Sequence, residues 1–280
     1  MRFVTFQHNN HTHAGVLLGD KMVSLAQSGF SSVLDVISGG AAALAIVKDA
    51  VLTAPAVPLA DVKLLAPMPR PPKIICIGLN YRDHAIESKL EIPKIPVVFS
   101  KYPSVTIGPG DSIVLPKNSV KPDYEAELGV VIGKSGRHIA GENWQEYVFG
   151  YLCVNDVSAR DFQLATSQWM IGKTFDTFAP MGPSLVTADE IPDPHALNIS
   201  LDINGETLQK SNTKELIFRI PELIAYLSSV MTLEPGDVIS TGTPSGVGFS
   251  YTPPRWLKPG DSVTVKIEGI GELTNPCVAE

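Results

Sequence analysis

The chain has 280 residues, of which 44% are apolar and 18% charged, with a formal net charge of −7 and a pI near 5.4. This length is enough for one large domain or two ordinary ones, and the apolar content excludes a disordered chain. The acidic balance argues against a nucleic-acid partner and against attachment to an anionic membrane surface.

Cysteine usage and hydropathy bear on the compartment. No run approaches the roughly 18 apolar residues of a membrane span, and the N-terminal "MRFVTFQHNNHTHAG" lacks the apolar core of a signal peptide. The three cysteines, Cys76, Cys153 and Cys277, include no CxxC pair, so buried free thiols in a reducing compartment are expected. We therefore predict a cytoplasmic protein without a membrane partner.

Residues 1–65 are predicted to form a small N-terminal α/β domain. The strands "RFVTF", "AGVLLG" and "KMVSL" precede a predicted helix over 31–51. The cluster "HNNHTH" could ligate a metal, but its place between two strands favours a polar hairpin turn. The segment 66–73, "APMPRPPK", holds four prolines in eight residues and is interpreted as a linker between domains.

Residues 74–280 have a mostly β pattern. Pro-Gly-Asp occurs at 109–111, 235–237 and 259–261, each time before a β-rich run, which predicts tight turns that open strands. Helices are predicted in "NYRDHAIESK", "NWQEYVFG", "SARDFQLATSQ" and "KELIFRIPELIAYLSSV", the last broken at Pro221. The pattern predicts an α+β, mainly β protein with a β-sandwich or rolled sheet.

Two glutamates open the apolar run of "PDYEAELGVVIG". Glu125 and Glu127 are two apart, so on a strand both carboxylates point to one face. They need a cation or a shared proton, unless they lie on a solvated edge with Lys or Arg opposite. Asp156, after the predicted strand of "YLCVNDVSARD", is either a third ligand or the N-cap of a helix starting near Ser158. Three carboxylates alone would form an all-oxygen site for Mg²⁺, Mn²⁺ or Ca²⁺.

A second candidate group lies in "GLNYRDHAIES". Asn80 is predicted to cap a helix, with Asp83 completing a capping box. On that helix His84 and Glu87 are i and i+3 and share a face. A carboxylate beside an imidazole suits a general base, although the same pair is common on protein surfaces.

Further candidates follow along the chain. Lys173, after the apolar run of "QWMIGK", could stabilise an oxyanion or have a lowered pKa. Arg160 and Gln163 lie in the helix after Asp156, where they could reach a carboxylate of a ligand. The loop "STGTPSGVG" with Thr243 could hold a carboxylate or be an ordinary glycine turn, and it lacks the Gly-Lys-Ser/Thr of a phosphate loop.

In this order, "GLNYRDHAIE", "DYEAELGVVIG", "NDVSARDFQ", "GKTFDTFAPMGP" and "TGTPSGVG" resemble the fumarylacetoacetate hydrolase superfamily, over about residues 70–280. The likeness is greatest to fumarylacetoacetate hydrolase domain-containing proteins and acylpyruvases. It implies a mixed β-sandwich roll, usually a homodimer, that holds Mg²⁺ or Mn²⁺, or Ca²⁺ in some members. The resemblance assigns metal ligands (Glu125, Glu127, Asp156), a dyad on a lid helix (His84, Glu87), an anion-stabilising lysine (Lys173) and substrate contacts (Gln163, Thr243).

The resemblance implies hydrolysis of a carbon–carbon bond in an acylpyruvate or fumarylpyruvate type of 2,4-dioxo acid. His84, oriented by Glu87, would activate water, and the metal and Lys173 would stabilise the enolate that forms. Oxaloacetate decarboxylase and 2-hydroxyhepta-2,4-diene-1,7-dioate isomerase activities pass through related enolates, so the ligands alone do not separate them. A non-catalytic β-domain tied by a metal is a further alternative, and a two-metal phosphoesterase is disfavoured because His and Asp ligands are too few.

Overall fold

A computed structural model describes residues 1–89 and 91–280. Its strands are β1 (Arg2–His8), β2 (His11–Leu18), β3 (Lys21–Ser24), β4 (Ala56–Pro58), β5 (Lys63–Leu65), β6 (Ile74–Gly78), β7 (Val97–Lys101), β8 (Thr106–Ile107), β9 (Ile113–Leu115), β10 (Pro122–Asp123), β11 (Ala126–Ile132), β12 (Val148–Asn155), β13 (Ser158–Ala159), β14 (Ala179–Thr187), β15 (Asn198–Ile203), β16 (Glu206–Asn212), β17 (Val238–Ser240), β18 (Ser262–Ile267) and β19 (Gly271–Ala279). Its α-helices are α1 (Val33–Thr53), α2 (Arg82–Glu87), α3 (Arg160–Gln163), α4 (Met170–Lys173) and α5 (Ile220–Val230). Short 3₁₀ helices lie at Ala26–Ser28, Leu59–Asp61, Pro103–Val105, Gly141–Tyr147, Ala188–Glu190, Thr213–Glu215 and Gly248–Ser250.

Most of these strands belong to two large mixed sheets. Across the described ranges, a 12-stranded sheet has the order β4-β3-β2-β1-β14-β12-β11-β17-β6-β7, with β5 paired to β1 and β8 to β14. A 5-stranded sheet has the order β16-β15-β18-β19-β9, and β10 pairs with β13. Parallel pairs, such as β17 with β6, occur beside antiparallel ones. The predicted α+β, mainly β class with mixed sheets is confirmed.

Strand β11 is buried on both of its faces. Leu128 and Val130 join a core cluster with residues of the 5-stranded sheet, such as Leu201, and of α5. Val131 points the other way, into a second cluster that α1 covers. Burial on both faces explains why this strand reads as a continuous apolar run, and it places the start of β11 inside the protein.

The N-terminal segment extends the large sheet. β1 pairs antiparallel with β14, so residues 1–65 share one sheet with the rest of the chain. The division at residues 66–73 into two domains and a linker stays a prediction. Between β1 and β2, His8 pairs with His11 across Asn9 and Asn10, which have φ of 49° and 62°. Asparagine tolerates this left-handed backbone, and the predicted hairpin turn is confirmed.

Helix α1 corrects one expectation from the sequence. Its 21 residues have a mean hydropathy of 1.6, so by length and composition it could cross a membrane, contrary to the prediction that no segment could. The helix is interrupted at Gly40, where φ is 56° and ψ −139°. Residues such as Val36 and Val47 pack on the large sheet. A helix in the core of a globular protein can have the same length and hydropathy, so these two properties alone do not indicate a membrane segment.

The three Pro-Gly-Asp turns share the same side-chain hydrogen bond. Each precedes a strand as predicted, namely β9, β17 and β18. In each turn the Asp side chain accepts a hydrogen bond from the backbone N–H three residues earlier, at 2.8–3.0 Å. These bonds are Gly108 N to Asp111, Glu234 N to Asp237 and Lys258 N to Asp261.

Three helix predictions are wrong in detail. Pro221 lies in the first turn of α5, where its missing N–H costs nothing, and the preceding residues form a 3₁₀ turn at Thr213–Glu215 instead of a helix. The segment "NWQEYVFG" is 3₁₀ and then strand β12. The helix expected near Ser158 begins at Arg160, because Ser158 pairs with Asp123 in the β10–β13 ladder.

Candidate active site

Three carboxylates meet where β11 begins and β12 ends. The two strands are antiparallel, with Ala126 opposite Asn155, so Glu125 and Glu127 at the start of β11 lie beside Asp156 just after β12. The backbone N–H of Asp156 donates to the carbonyl of Glu125 at 2.9 Å. All three side chains are buried, and each offers an oxygen within 4.8 Å of the others. The structure thus brings the three predicted ligands together, and their role as ligands stays a prediction.

Buried cations contact two of these three carboxylates. Lys173 Nζ lies 2.6 Å from Glu125 Oε2 and 2.9 Å from Asp156 Oδ2. Arg160 Nη2 lies 2.7 Å from Glu125 Oε1, and Lys101 Nζ lies 2.5 Å from Asp156 Oδ1. The alternative of a solvated edge face is therefore wrong, because the cations and the carboxylates are all buried.

Glu127 differs from Glu125 in its partners. Its Oε2 accepts hydrogen bonds from Ser240 Oγ at 2.6 Å and from the N–H of Gly242 at 2.9 Å. Within the described ranges, it is in no ion pair with Lys or Arg. Burial raises the pKa of Glu127 well above its usual value, and the charge of Asp156 raises it further. Burial also acts on Glu125, but Lys173 and Arg160 outweigh it and lower the pKa of that carboxyl.

The chemistry of this donor set fits a divalent ion. Asp123 is a fourth buried carboxylate, 2.8 Å from Arg160 Nε, so four buried carboxylates face the three cations Lys101, Arg160 and Lys173. Ionisation of all four carboxyls would leave one negative charge in excess, and the raised pKa of Glu127 shows that this carboxyl resists ionisation when no further cation is present. The donors are all oxygens, which Mg²⁺ and Mn²⁺ prefer, and ligand distances of about 2.0–2.6 Å can span their spacing. The site therefore fits a hard divalent ion.

A cavity of about 100 Å³ lies against this cluster. Glu125, Glu127 and Lys173 line it from one side, and Phe99 and Trp169 form an apolar wall. The two rings are 5.7 Å apart and edge-on, and Lys173 Nζ lies 5.0 Å from the centroid of Phe99. The apolar wall lowers the local dielectric and so strengthens the electrostatic interactions inside the cavity.

Helix α2 places His84 at the cavity. His84 is nearly buried and lines the cavity, and its Nδ1 lies 3.3 Å from Glu87 Oε2. The other oxygen of Glu87 accepts from the N–H of Gly246 at 2.9 Å, and Asp83 Oδ2 accepts from Ser211 Oγ at 2.6 Å. The His–Glu pair is therefore docked against the "STGTPSGVG" loop and is not an open surface pair.

The predicted capping role of Asn80 is wrong. Helix α2 begins after Tyr81, which makes no side-chain cap, and Asn80 lies one residue further out. The Asn80 amide instead donates to the carbonyls of Thr241 at 2.7 Å and Phe218 at 3.0 Å and accepts from the N–H of Phe218 at 2.8 Å. Buried polar side chains are nearly always hydrogen-bonded, and for Asn80 distant backbone groups supply the partners.

The predicted substrate contacts also border the cavity. Arg160, Gln163 and Thr243 line it, and Arg160 Nη1 donates to Gln163 Oε1 at 2.9 Å. Thr243 Oγ1 accepts from Gln209 Nε2 at 2.9 Å, so the loop is held by a side chain of β16. Gln209 Oε1 accepts from the N–H of Ala126, between the two glutamates, also at 2.9 Å. Contact of these side chains with a substrate stays a prediction.

The sequence argument missed three buried polar residues of this site. Asp123 continues the alternation of Glu125 and Glu127 towards the N-terminus, and that spacing was a signal for it. Lys101 and Gln209 have no local signal, because their partners in the site are distant in sequence.

A buried carboxylate cluster beside a small cavity with cationic walls is typical of enzymes that use a divalent ion to bind a small acid. The family model described as fumarylacetoacetate (FAA) hydrolase C-terminal matches residues 73–278, and the one described as Rv2993c-like, N-terminal matches residues 1–67. The chain belongs to the fumarylacetoacetate hydrolase family and is an enzyme of that family.

Three relatives illustrate the range of the family. Oxaloacetate tautomerase Fahd2a, mitochondrial, of Rattus norvegicus is 45% identical over 99% of this chain and 92% of its own length. The crystal structure of maleylpyruvate hydrolase from Sphingobium sp. SYK-6 with manganese(II) and pyruvate has a TM-score of 0.85 at 33% identity, covering 100% of this chain and 99% of that one. The 2-hydroxyhepta-2,4-diene-1,7-dioate isomerase of Mycobacterium marinum has a TM-score of 0.80 at 33% identity, with the same coverage.

These relatives act on small 2-oxo acids or their enol forms, and one holds a divalent ion. These relatives do not identify which divalent ion this chain binds. The rat relative is named as mitochondrial, so the cytoplasmic location predicted for this chain has no support from it. The homodimer and the absence of nucleic-acid and membrane partners also stay predictions.

Proposed function

We propose that this enzyme interconverts the keto and enol forms of oxaloacetate, a small 2-oxo diacid, by proton transfer at carbon 3. The observation that carries the proposal is the position of His84, which faces the same small cavity as Glu125, Glu127 and Lys173. The rat relative, similar over 99% of this chain, is named as an oxaloacetate tautomerase, which supports the choice of substrate.

The cavity walls suit a small dianion. Arg160 and Lys173 bring positive charge to the lining, and the volume of about 100 Å³ favours a compact acid. A divalent ion held by Glu125, Glu127 and Asp156 would act as a Lewis acid that polarises the 2-oxo group. With such an ion in place, the excess charge of the buried groups changes from negative to positive, so the site attracts an acid.

His84 is suited to move the proton. Glu87 engages Nδ1, which fixes the tautomer and leaves Nε2 available for proton transfer. In the proposed reaction, Nε2 removes a proton from carbon 3 of the keto acid, and the electron pair of that C–H bond forms the enolate. Lys173 stabilises the negative charge on the enolate oxygen, which then takes a proton from the protonated His84 to give the enol and return the imidazole to its neutral form. The reverse sequence gives the keto form.

This chemistry needs no attacking water. Phe99 and Trp169 close one side of the cavity with apolar surface, which disfavours a water beside the reacting carbon. Among σ bonds, tautomerisation breaks and forms only bonds to hydrogen, so it needs a proton-transfer group and no nucleophile.

Hydrolysis of an acylpyruvate is the second candidate, and the His84–Glu87 pair favours it because the same pair could activate water. Water would add to the distal carbonyl, the bond between carbons 3 and 4 would break, and a carboxylic acid and the pyruvate enolate would leave. The solved maleylpyruvate hydrolase with bound pyruvate is similar to this chain over its whole length. Oxaloacetate decarboxylation would give the same enolate and carbon dioxide.

Two assays on one preparation separate these activities. With Mg²⁺ or Mn²⁺ present, we expect rapid loss of the ultraviolet absorbance of enol-oxaloacetate, without pyruvate formation above the uncatalysed rate. The second assay measures pyruvate from acetylpyruvate, maleylpyruvate and oxaloacetate with lactate dehydrogenase. Fast pyruvate release from an acylpyruvate with no acceleration of tautomerisation would reject the proposal in favour of the second candidate.

A further inference from the structure

Two buried lysines bind different oxygens of the same carboxylate. Lys101 Nζ lies 2.5 Å from Asp156 Oδ1, and Lys173 Nζ lies 2.9 Å from Asp156 Oδ2. Both ammonium groups are almost without solvent exposure. Lys101 comes from β7 and Lys173 from α4, two elements that pack against each other.

Lys101 is fixed to the protein frame. Its side chain has no exposed surface, and its Nζ also donates to the carbonyl of Val157 at 2.9 Å. Lys101 ends β7, where it pairs with Ile74 in the large sheet. The Lys101 ammonium therefore binds both the Asp156 side chain and the backbone that follows it. Lys101 is not among the described residues that line the cavity.

Lys173 has a different set of partners. It lines the cavity, and its second contact is Glu125 Oε2 at 2.6 Å. Both of its anionic partners belong to the carboxylate cluster that fits a divalent ion. Because one ammonium contacts both Glu125 Oε2 and Asp156 Oδ2, these two oxygens lie close together within the cluster, whereas Lys101 binds the other oxygen of Asp156.

We propose that Lys101 is a positioning residue that holds Asp156 with Oδ2 directed to the metal site, while Lys173 competes with the ion for the same oxygens. This inference rests on the proposed metal site. It assigns opposite effects on metal affinity to two lysines that bind one carboxylate.

The direction in which each substitution changes the affinity for the metal ion distinguishes a positioning role from a purely electrostatic one. Removing a positive charge next to a cation site reduces repulsion and, by Coulomb's law alone, strengthens binding of the cation. Lys173→Met should follow that rule, because it also frees two oxygens. Lys101→Met should do the reverse, since a group that orients a metal ligand is typically worth about 10–100-fold in metal affinity.

The experiment is calorimetric titration of the full-length, metal-free protein with Mn²⁺, alone and without substrate. We expect Lys101→Met to raise the Kd for Mn²⁺ by about 10-fold or more. Lys173→Met should leave the Kd unchanged or lower it. Lys101→Gln keeps a donor for Asp156 without the charge, and it should bind Mn²⁺ more tightly than Lys101→Met does. Equal or tighter binding by Lys101→Met than by the wild type would overturn the inference.

A double variant covers the case in which Lys101→Met does not fold. If Lys101 acts only through Asp156, adding Lys101→Met to Asp156→Asn should not weaken Mn²⁺ binding further. In this double variant both members of the Lys101–Asp156 ion pair are neutral, so neither leaves a buried charge without its partner. A further loss in the double variant would overturn the inference. If the wild type binds no Mn²⁺, the proposed metal site itself is wrong. If the wild type binds Mn²⁺ and Lys101→Met binds it equally well, the metal site stands and only the role of Lys101 is wrong.

Discussion

Glu125 and Glu127 lie two residues apart at one strand end, yet only Glu125 is paired with cations, Lys173 at 2.6 Å and Arg160 at 2.7 Å. Glu127 accepts neutral hydrogen bonds from Ser240 and Gly242 instead. Burial raises the pKa of both carboxyls, but Lys173 and Arg160 outweigh it at Glu125, so the pKa of Glu125 is lowered whereas that of Glu127 is raised. This asymmetry gives the two glutamates opposite roles in the stability of the metal-free protein.

We expect Glu127→Gln to raise the Tm of the metal-free protein and to abolish the stabilisation that Mg²⁺ or Mn²⁺ provides. The substitution removes a buried carboxyl that has no cationic partner and whose ionisation is opposed by burial, and about 2–4 °C is expected for each kcal/mol gained. The matched variant Glu125→Gln should lower the Tm, because it leaves Lys173 and Arg160 facing a neutral group. Thermal denaturation with and without metal tests both, and shifts of the same sign would contradict the asymmetry.

We expect His84→Ala to reduce the turnover number for oxaloacetate tautomerisation by about 10²–10⁴-fold, the usual contribution of a general acid–base group. Glu87→Gln should cost less, because it alters the orientation of the imidazole but does not remove it. The affinity for Mn²⁺ should stay near the wild-type value in both variants. His11→Ala, at an exposed hairpin position, is the control and should keep full activity. An active His84→Ala would show that another group moves the proton.

Gly172→Ala tests the close approach of α4 to α3. A Cβ at Gly172 would lie 2.3 Å from the backbone nitrogen of Gln163, so α4 must move, and with it Lys173. Overpacking of this kind costs about 1–3 kcal/mol, and we expect both a lower Tm and a lower kcat/KM. Gly141→Ala is the matched control, since its nearest contact would be an ordinary 3.5 Å from Pro221. Unchanged kcat/KM in Gly172→Ala would show that the helix approach does not position Lys173.

His195 gives a pH dependence of stability far from the cavity. Its Nε2 accepts from the N–H of Ile220 at the start of α5, at 3.3 Å, and its ring packs on Trp144. Burial lowers the pKa of His195 below 6.5, and Arg219 lowers it further against the opposing charge of Asp193. The unfolded chain then binds the proton more readily than the folded one. This contribution to stability is complete above pH 6.5 and is lost as the pH falls towards the folded pKa.

Urea unfolding at a series of pH values between about pH 5 and about pH 7.5 measures this effect. We expect the free energy of unfolding to fall more steeply with acid in the wild type than in His195→Gln, which keeps an acceptor but does not titrate. Identical slopes in the two proteins would rule out His195 as the source.

Much of the fold followed from local patterns. The hairpin at Asn9 and Asn10, the Pro-Gly-Asp turns and the same-face placement of Glu125 and Glu127 depend on residues close in sequence. Local backbone preference and the period of the strand decide such features. Asn80 shows where this reasoning failed, because its capping signal was overridden by backbone groups of Phe218 and Thr241 on distant segments.

The sequence by itself determined that acidic side chains would share a face and that an imidazole would lie beside a carboxylate, since the repeat of a strand or a helix fixes those directions. Only the tertiary structure decided which cations meet which acids. Lys101 and Asp156 are 55 residues apart, and β11, β17 and β6 separate β12 from β7 in the sheet order, so their contact depends on packing beyond neighbouring strands. Pairing across such a distance depends on strand order and packing, which no local pattern specifies, and that pairing sets the charge of the site.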